Sequence, residues 1–208
     1  MNLKLREGQL FPKQYVLSQR SASDPDASSP VESWIATHNQ TGDRVLVRFM
    51  ATRLDDDTWS SVNKRVSTLR GLVHQNISLN LEAGIEDGIQ YLVEPYLTDS
   101  EILNLDDPGA WPLLQQLLGA LIYAHNLGIA HGTLCPDNIM VDASGIVHIT
   151  GFALPPVTYP ANEQAYLSPQ VLAGRDPGTD DDIYSLGCIL FKVLTGKSWK
   201  KDVELDLP

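Results

Sequence analysis

Residues 131–154 read HGTLCPDNIMVDASGIVHITGFAL, and this stretch decides the fold class. Two short apolar runs, IMV and IVHI, flank the tetrapeptide at 142–145. A turn rich in Asp, Ser and Gly between two apolar runs predicts a small hairpin. A proline-containing loop that ends at Asn138 precedes the hairpin, and Gly-Phe-Ala at 151–153 follows it.

The chain before this stretch predicts five strands and one helix. Strand-like runs lie at 15–17, 31–37, 43–49, around 78–82 and at 90–93. In the third run Val45, Val47 and Phe49 alternate with other residues, which places them on one face of a strand. Three aspartates at 55–57 then begin a helix whose apolar residues recur at helical spacing as far as Leu72.

The chain after residue 100 is mainly helical. Helices are predicted from about 106 to 126, with a broad leucine-rich face, and from about 179 to 196. The segment from 151 to 170 contains four prolines and predicts irregular structure.

Composition excludes several classes of function. The chain carries 26 acidic and 15 basic residues, a net charge of −11, so nucleic acid is not an expected partner. Cys135 and Cys188 form no Cys-x-x-Cys pair and are too few for a disulfide framework. No run has the length and apolarity of a membrane span, and the first residues lack a signal core. We therefore expect a cytoplasmic domain without a membrane segment.

The motifs H-R-D-L-x-x-x-N and D-F-G of protein kinases resemble two parts of the opening stretch. The matching residues are His131, Leu134, Pro136, Asn138 and Phe152. Segments at 69–77, 91–97, 166–170 and 182–187 resemble, in the family's order, the end of helix αC, the hinge between lobes, the Y-x-A-P-E segment and the start of helix αF. The chain is thus similar to Hanks-type, bacterial-like serine/threonine kinase domains from about residue 10 to residue 196.

This resemblance implies an α+β fold with two lobes. Residues 1–97 would form an N-lobe with a five-stranded antiparallel sheet and one helix, and 98–208 a mainly α-helical C-lobe. Only 12 residues follow Gly196, where the family places three more helices, so we expect a truncated C-lobe that ends shortly after αF. Either the lobe is naturally short or the sequence is cut there. Gln170, at the glutamate position of A-P-E, favours the first, because the family partner of that glutamate lies beyond αF.

The two working aspartates of the family are absent from the loops of the C-lobe. Thr133 stands at the position of the catalytic aspartate, and its neutral hydroxyl cannot act as a base near neutral pH. Gly151 stands at the position of the metal-binding aspartate. Asn138 alone would be a poor magnesium site, because Mg²⁺ prefers anionic oxygen ligands.

The phosphate-binding positions of the N-lobe are also changed. Arg48 replaces the lysine of V-A-I-K, and Arg65 replaces the αC glutamate that pairs with it. Two cations thus replace an ion pair, and we expect one of them to point to solvent. The loop at 19–30 lacks glycine and carries Asp24 and Asp26, which would repel a triphosphate. ATP binding is therefore not expected, and no cofactor is predicted.

The packing positions of the family are kept. His131, Phe152 and Leu69 match the apolar stack that joins the lobes, and Asp182 matches the αF aspartate that holds the catalytic loop. Kept packing positions with lost charges are what a pseudokinase has.

Some residues have a second interpretation. Asn138 could bind a metal, but a hydrogen bond to local backbone is favoured. Cys135 could act as a nucleophile with a histidine base, but a buried inert thiol is the common case. Arg48 and Arg65 could form an anion site, and two independent surface arginines are at least as well favoured.

Two functions from different classes follow. The preferred one is a catalytically inactive scaffold or regulatory module that binds a protein partner or itself, using a surface such as an apolar side of αF. The alternative is a divergent nucleotide-binding protein or transferase of the kinase fold, in which Arg48 holds the nucleotide without the usual magnesium site.

Overall fold

The first half of the chain forms a five-stranded antiparallel sheet, in a computed structural model that describes residues 4–21, 30–78, 82–107, 109–152, 154–156 and 164–199. The strands are Tyr15–Arg20 (β1), Val31–His38 (β2), Arg44–Met50 (β3), Glu82–Glu86 (β4) and Ile89–Pro95 (β5). Their spatial order is β1-β2-β3-β5-β4, and every neighbouring pair is antiparallel. The predicted N-lobe sheet is confirmed.

The two faces of this sheet pack against different parts of the molecule. The predicted face of β3 consists of Val45, Val47 and Phe49, which are buried in one cluster with residues of β1, β2 and β5. Met50 and Leu92 belong to a larger cluster that contains the helix of this lobe and most of the second lobe. Because side chains alternate along a strand, Arg48 lies on the second face with Met50.

Helix α1 (Asp56–Leu69) follows β3 and packs on this second face. Asp55 caps it, because its carboxylate accepts a hydrogen bond of 2.8 Å from the backbone N–H of Thr58. The buried residues of the helix are Trp59, Val62, Val66 and Leu69. The helix ends before Leu72, which is nevertheless buried, and Gly71 explains the early end because glycine weakens a helical turn.

The described part of the second half contains three α-helices and a small sheet. The helices are Ala110–Asn126 (α2), Pro169–Leu172 (α3) and Thr179–Thr195 (α4), and a short 3-10 turn covers Pro136–Asn138. The strands are Ser100–Ile102 (β6), Ile139–Asp142 (β7) and Val147–Ile149 (β8), in the order β6-β7-β8. The predicted hairpin and the predicted last helix are confirmed, and β6 is an addition that the sequence pattern did not indicate. None of the helices described is long and apolar enough to cross a membrane.

Two further element boundaries and one helix face differ from the prediction. Strand β4 begins at Glu82, where the pattern had predicted its end, and residues 79–81 lie outside the described part. Helix α2 begins at Ala110 rather than near 106. Its apolar face is narrower than predicted, since Leu118 is 43% exposed and Ile122 is 51% exposed.

The two lobes are joined by backbone hydrogen bonds between residues 76–78 and β8. Ile77 forms a parallel bridge with Ile149, and the N–H of Ser78 donates to the carbonyl of Ile149 at 2.8 Å. The side-chain amide of the buried Asn76 donates to the carbonyl of Val147 at 2.7 Å and to Gln116 of α2 at 3.0 Å. The N-lobe is therefore anchored to the hairpin that precedes Gly151.

Candidate functional site

Asp182 holds the backbone of the loop at 131–133. Its side chain has no exposed surface, and its carboxylate accepts hydrogen bonds from the N–H of His131 at 2.8 Å and of Gly132 at 2.7 Å. It also lies 2.7 Å from Nε2 of His125 in α2. The two backbone contacts are those that the family resemblance implies for the αF aspartate.

His131 and Phe152 form the centre of the contact between the two loops. Their ring centroids are 4.5 Å apart, and Leu69 of α1 belongs to the same buried cluster as Phe152. Nε2 of His131 lies 2.7 Å from the carbonyl of Thr150, while Nδ1 accepts a hydrogen bond of 3.2 Å from the N–H of Thr133. These two bonds select the neutral tautomer with the proton on Nε2, and burial lowers the pKa of His131.

Thr133 occupies the position of the catalytic aspartate and is fully buried. Its N–H donates to His131, and its carbonyl accepts a hydrogen bond of 3.0 Å from the amide of Asn138. The residue is thus part of the internal support of the loop. Its neutral hydroxyl, unlike a carboxylate, cannot accept a proton from a substrate near neutral pH.

Asn138 and Gly151 lie against each other where the family binds a metal ion. Asn138 is only 3% exposed, and its amide donates to the carbonyl of Thr133, the local backbone bond that its second interpretation favoured. Gly151 has a φ of +80°, and a Cβ atom at this position would lie 2.9 Å from Oδ1 of Asn138. A carboxylate side chain has no room there unless Asn138 moves.

These residues do not fit a magnesium ion. One neutral amide oxygen, already packed against Gly151, is the only donor that the two family positions offer, and Mg²⁺ requires several hard oxygen ligands in near-octahedral geometry. Among the described residues there is also no group of three or more His, Cys, Asp or Glu side chains that could hold a metal.

Arg48 does not point to solvent but forms an ion pair with Glu94. Nε of Arg48 lies 2.6 Å from Oε1 of Glu94, and the two side chains are 17% and 3% exposed. In the β3–β5 register Arg48 is opposite Leu92, so Glu94 is its diagonal neighbour on the same face. The partner of Arg48 thus lies in the hinge-like segment at 91–97.

Arg65 does not point to solvent either. Its Nη2 donates to the carbonyls of His131 and Phe152, both at 2.6 Å, and to that of Ala130 at 3.3 Å. The prediction that one of the two arginines faces water is therefore wrong, and so is the view of them as independent surface residues. The reason is that backbone carbonyls and a residue 46 positions away satisfy the two charges.

Gly132 leaves space beside Arg65. Its φ is +85°, and a Cβ atom at this position would lie 2.7 Å from Cβ of Pro177 and 3.3 Å from Nη1 of Arg65. A side chain at this position, such as the arginine of the family, would therefore require Pro177 to shift and would stand in tight contact with Arg65. The changes at positions 65 and 132 belong to one arrangement.

The segment around residue 170 is anchored by Asp181, which the sequence did not single out. Burial acts to raise the pKa of this carboxyl, but hydrogen bonds from Gly178, Ser168 and Arg175 outweigh burial and lower it. Arg175 donates from Nη2 to both carboxylate oxygens, at 2.7 and 2.8 Å. Gln170 is exposed. The Asp triplet at the start of α4 therefore consists of an exposed residue and two buried ones with structural partners.

Two other expectations concern Cys135 and the loop at 19–30. Cys135 is 1% exposed, as an inert buried thiol would be. Residues 22–29, which include Asp24 and Asp26, lie outside the described part of the chain.

Comparison with known proteins places this site in a family. A family model described as protein kinase domain matches residues 31–205. CBL-interacting protein kinase 21 of Oryza sativa subsp. japonica is 28% identical over 188 residues, which cover 78% of this chain and 35% of the relative. Serine/threonine-protein kinase PrkC of Bacillus subtilis (strain 168) is 30% identical over 159 residues, which cover 69% of this chain and 24% of the relative.

A solved structure has the same fold. The crystal structure of the PknI kinase domain of Mycobacterium tuberculosis, determined as a double mutant, gives a TM-score of 0.74 at 19% identity. The match covers 94% of this chain and 78% of that chain.

The chain spans about a third or less of the length of the two curated relatives, and both are named as kinases. From the matched family model and the fold, this chain belongs to the protein kinase domain family, with Hanks-type serine/threonine kinases among its relatives.

Proposed function

We propose that this chain is a pseudokinase domain, which keeps the kinase fold, does not transfer phosphoryl groups, and acts as an interaction or regulatory module. Phosphoryl transfer depends on positioned metal ions and on a residue that orients the nucleophile, since the protein does little covalent chemistry itself. The positions that would supply these groups carry a glycine and a buried threonine here. The proposal includes the cytoplasmic location that the sequence predicts.

The observation that carries the proposal is the close approach of Asn138 to Gly151. The amide oxygen of Asn138 occupies the space that a side chain at position 151 would need, 2.9 Å from where its Cβ would be. The same amide is tied to the carbonyl of Thr133. The two positions of lost chemistry are therefore linked through one buried side chain.

Arg48 gives further support. Its guanidinium is held by Glu94 at 2.6 Å on the face of the sheet that packs against α1. The alternative function, in which Arg48 binds a nucleotide without magnesium, would require phosphates to compete with this carboxylate or to bind beside its negative charge. The pseudokinase proposal requires no such displacement.

An interaction role is consistent with the surface of α4. Ile183 is 54% exposed and Leu194 is 72% exposed, although both are large apolar residues. The two residues are eleven positions apart, so they lie on the same side of α4 about three turns from each other. Exposed apolar surface along one side of a helix is a property of protein interaction sites. A protein partner, including a second copy of the chain, is therefore the class of ligand that we propose.

Nucleotide binding and transfer test the proposal directly. We expect the melting temperature to change by less than about 1 °C when ATP and Mg²⁺ are added, because a ligand stabilises only a state that it binds. We also expect no transfer of labelled phosphate to the chain or to a general protein substrate, with an active kinase domain measured in parallel. A shift of several degrees that Arg48→Ala abolishes, or any transfer above background, would overturn the proposal.

The Gly151→Asp variant tests the close approach of Asn138 to Gly151. We expect it to lower the free energy of unfolding by about 1 to 3 kcal/mol and to bring no nucleotide-dependent shift, since the new side chain meets Asn138 and adopts a positive φ. Gly145→Asp is the matched control, because Gly145 has a similar φ of +77° and open space around it. Equal losses in the two variants, or a magnesium-dependent ATP shift in Gly151→Asp, would contradict the steric argument.

A further inference from the structure

We propose that Arg65 is a conformational latch, which ties helix α1 of the N-lobe to the two loops of the C-lobe and makes their positions depend on each other. The contacts involve only the protein backbone and one side chain. The latch is therefore independent of the proposed loss of phosphoryl transfer, and either proposal can fail without the other.

The first element of the latch is the position of Arg65 on α1. Arg65 comes three residues after Val62 and four residues before Leu69, and both of these are buried on the inner face of the helix. Its side chain therefore leaves α1 on the side that packs against the C-lobe. Leu69 contributes apolar contact there, and Arg65 contributes hydrogen bonds with a fixed direction.

The second element is the set of acceptors. Nη2 of Arg65 lies 2.6 Å from the carbonyl of His131 and 2.6 Å from that of Phe152, which belong to two loops that are separate in sequence. Hydrogen bonds from a charged donor are shorter and stronger than neutral ones, and the planar guanidinium limits the directions in which they form. One nitrogen therefore joins three segments of the chain at a single point.

The third element is the space that Gly132 provides. A Cβ atom at position 132 would lie 3.3 Å from Nη1 of Arg65, closer than ordinary packing allows. A side chain there would crowd the guanidinium, which would have to shift by a few tenths of an ångström. The absence of a side chain at 132 and the arginine at 65 therefore act together.

The consequence is coupling between α1 and residues 150–152. Further along the chain after Phe152, Ser168 is held by Asp181 of α4. Any movement of the Phe152 carbonyl removes an acceptor from Arg65, and any outward movement of α1 removes the donor from both loops. A partner that displaces either element would release the other, which makes the latch a route by which binding at one surface changes the second.

Hydrogen exchange of the whole chain tests the latch with four proteins: the unchanged chain, Arg65→Met, Arg65→Lys and Lys64→Ala. Lys64 is an exposed cation next to Arg65 on the same helix and serves as the matched control. We expect Arg65→Met to speed amide exchange about tenfold or more both in α1 and in the loops around 131 and 152, while α4 keeps its rate. We expect a smaller coupled increase in Arg65→Lys, because lysine keeps the charge and loses the planar fork.

The outcomes separate a latch from a residue of general structural importance. Faster exchange in α1 alone, or no change in either element, would overturn the proposal. If Arg65→Met raises exchange everywhere, including α4, Arg65→Lys decides. An increase confined to α1 and the two loops supports the latch, and a uniform increase refutes it. An effect of Lys64→Ala equal to that of Arg65→Met would also refute it.

Discussion

The base of the catalytic-like loop and the four changed motif positions differ in how far their contacts follow the family pattern. At the base, formed by His131, Phe152 and Asp182, each side chain makes the contact that the resemblance implies. At the changed motif positions 48, 65, 133 and 151, each residue differs from the family. Arg48 and Arg65 have protein partners that the family pattern does not provide.

The difference shows which residues can be replaced without leaving buried groups unpaired. Asp182 is surrounded by three donors from the protein, so replacing it leaves buried groups without partners. Under the proposed function, a residue whose partner in the family is an external ligand carries no such constraint. It can be replaced if the new side chain finds a partner inside the protein, as Arg48 does with Glu94.

The largest effect is expected at the base of the loop, from Asp182→Ala. Removal of a fully buried carboxylate leaves two backbone N–H groups and His125 without their acceptor, so we expect a loss of about 3 to 5 kcal/mol in the free energy of unfolding. Urea unfolding followed by fluorescence measures this loss. Asp182→Asn should lose less, because it keeps the shape and one acceptor oxygen.

Asp180→Ala is the matched control for this prediction. Asp180 lies in the same first turn of α4 but is exposed, so its removal should cost less than about 1 kcal/mol, as expected for a charge near a helix N-terminus. Similar losses for Asp180→Ala and Asp182→Ala would mean that helix electrostatics, and not the loop contacts, explain the effect.

A smaller loss of stability is expected at the changed motif positions. A double-mutant cycle with Arg48→Met and Glu94→Gln measures it for position 48. Arg48→Met alone leaves the Glu94 carboxylate buried and should cost about 2 to 3 kcal/mol. The double variant should cost less than the sum of the single ones, with a coupling energy of about 1 to 3 kcal/mol. Additive losses would show that the 2.6 Å contact between Arg48 and Glu94 does not stabilise the folded chain.

The parts that could be predicted from the sequence are those with local signatures. The hairpin follows from apolar runs around an Asp-Ser-Gly turn, and α4 follows from its helical spacing and acidic start. The contacts of Asp182, His131 and Phe152 follow from the family motifs, whose order and spacing this chain shares. Helix α1 ends earlier than the apolar spacing up to Leu72 predicts, because Gly71 weakens the last turn.

The partners of the two arginines could be predicted only in part. Glu94 is two residues from Leu92 in β5, so strand alternation together with the register would have placed it beside Arg48. The register itself has no signature in a single sequence. The partners of Arg65 are backbone carbonyls, which every residue carries, so no side-chain pattern could have indicated them.

The smallest expected effect returns to the base of the loop and concerns pH. Burial lowers the pKa of His131 below its ordinary value of 6.5, so the unfolded chain binds a proton that the folded chain does not. This contribution to stability is fully present above the unfolded pKa and is lost as the pH falls toward the folded pKa. We expect His131→Phe to be less stable than the unchanged chain but to lose less stability between about pH 7.5 and about pH 5.5, by at most about 1.4 kcal/mol per pH unit. Urea unfolding at several pH values measures the two slopes, and the carboxylates contribute equally to both proteins. Parallel slopes would mean that His131 accepts a proton in the folded state, which the hydrogen bond from Thr133 to Nδ1 opposes.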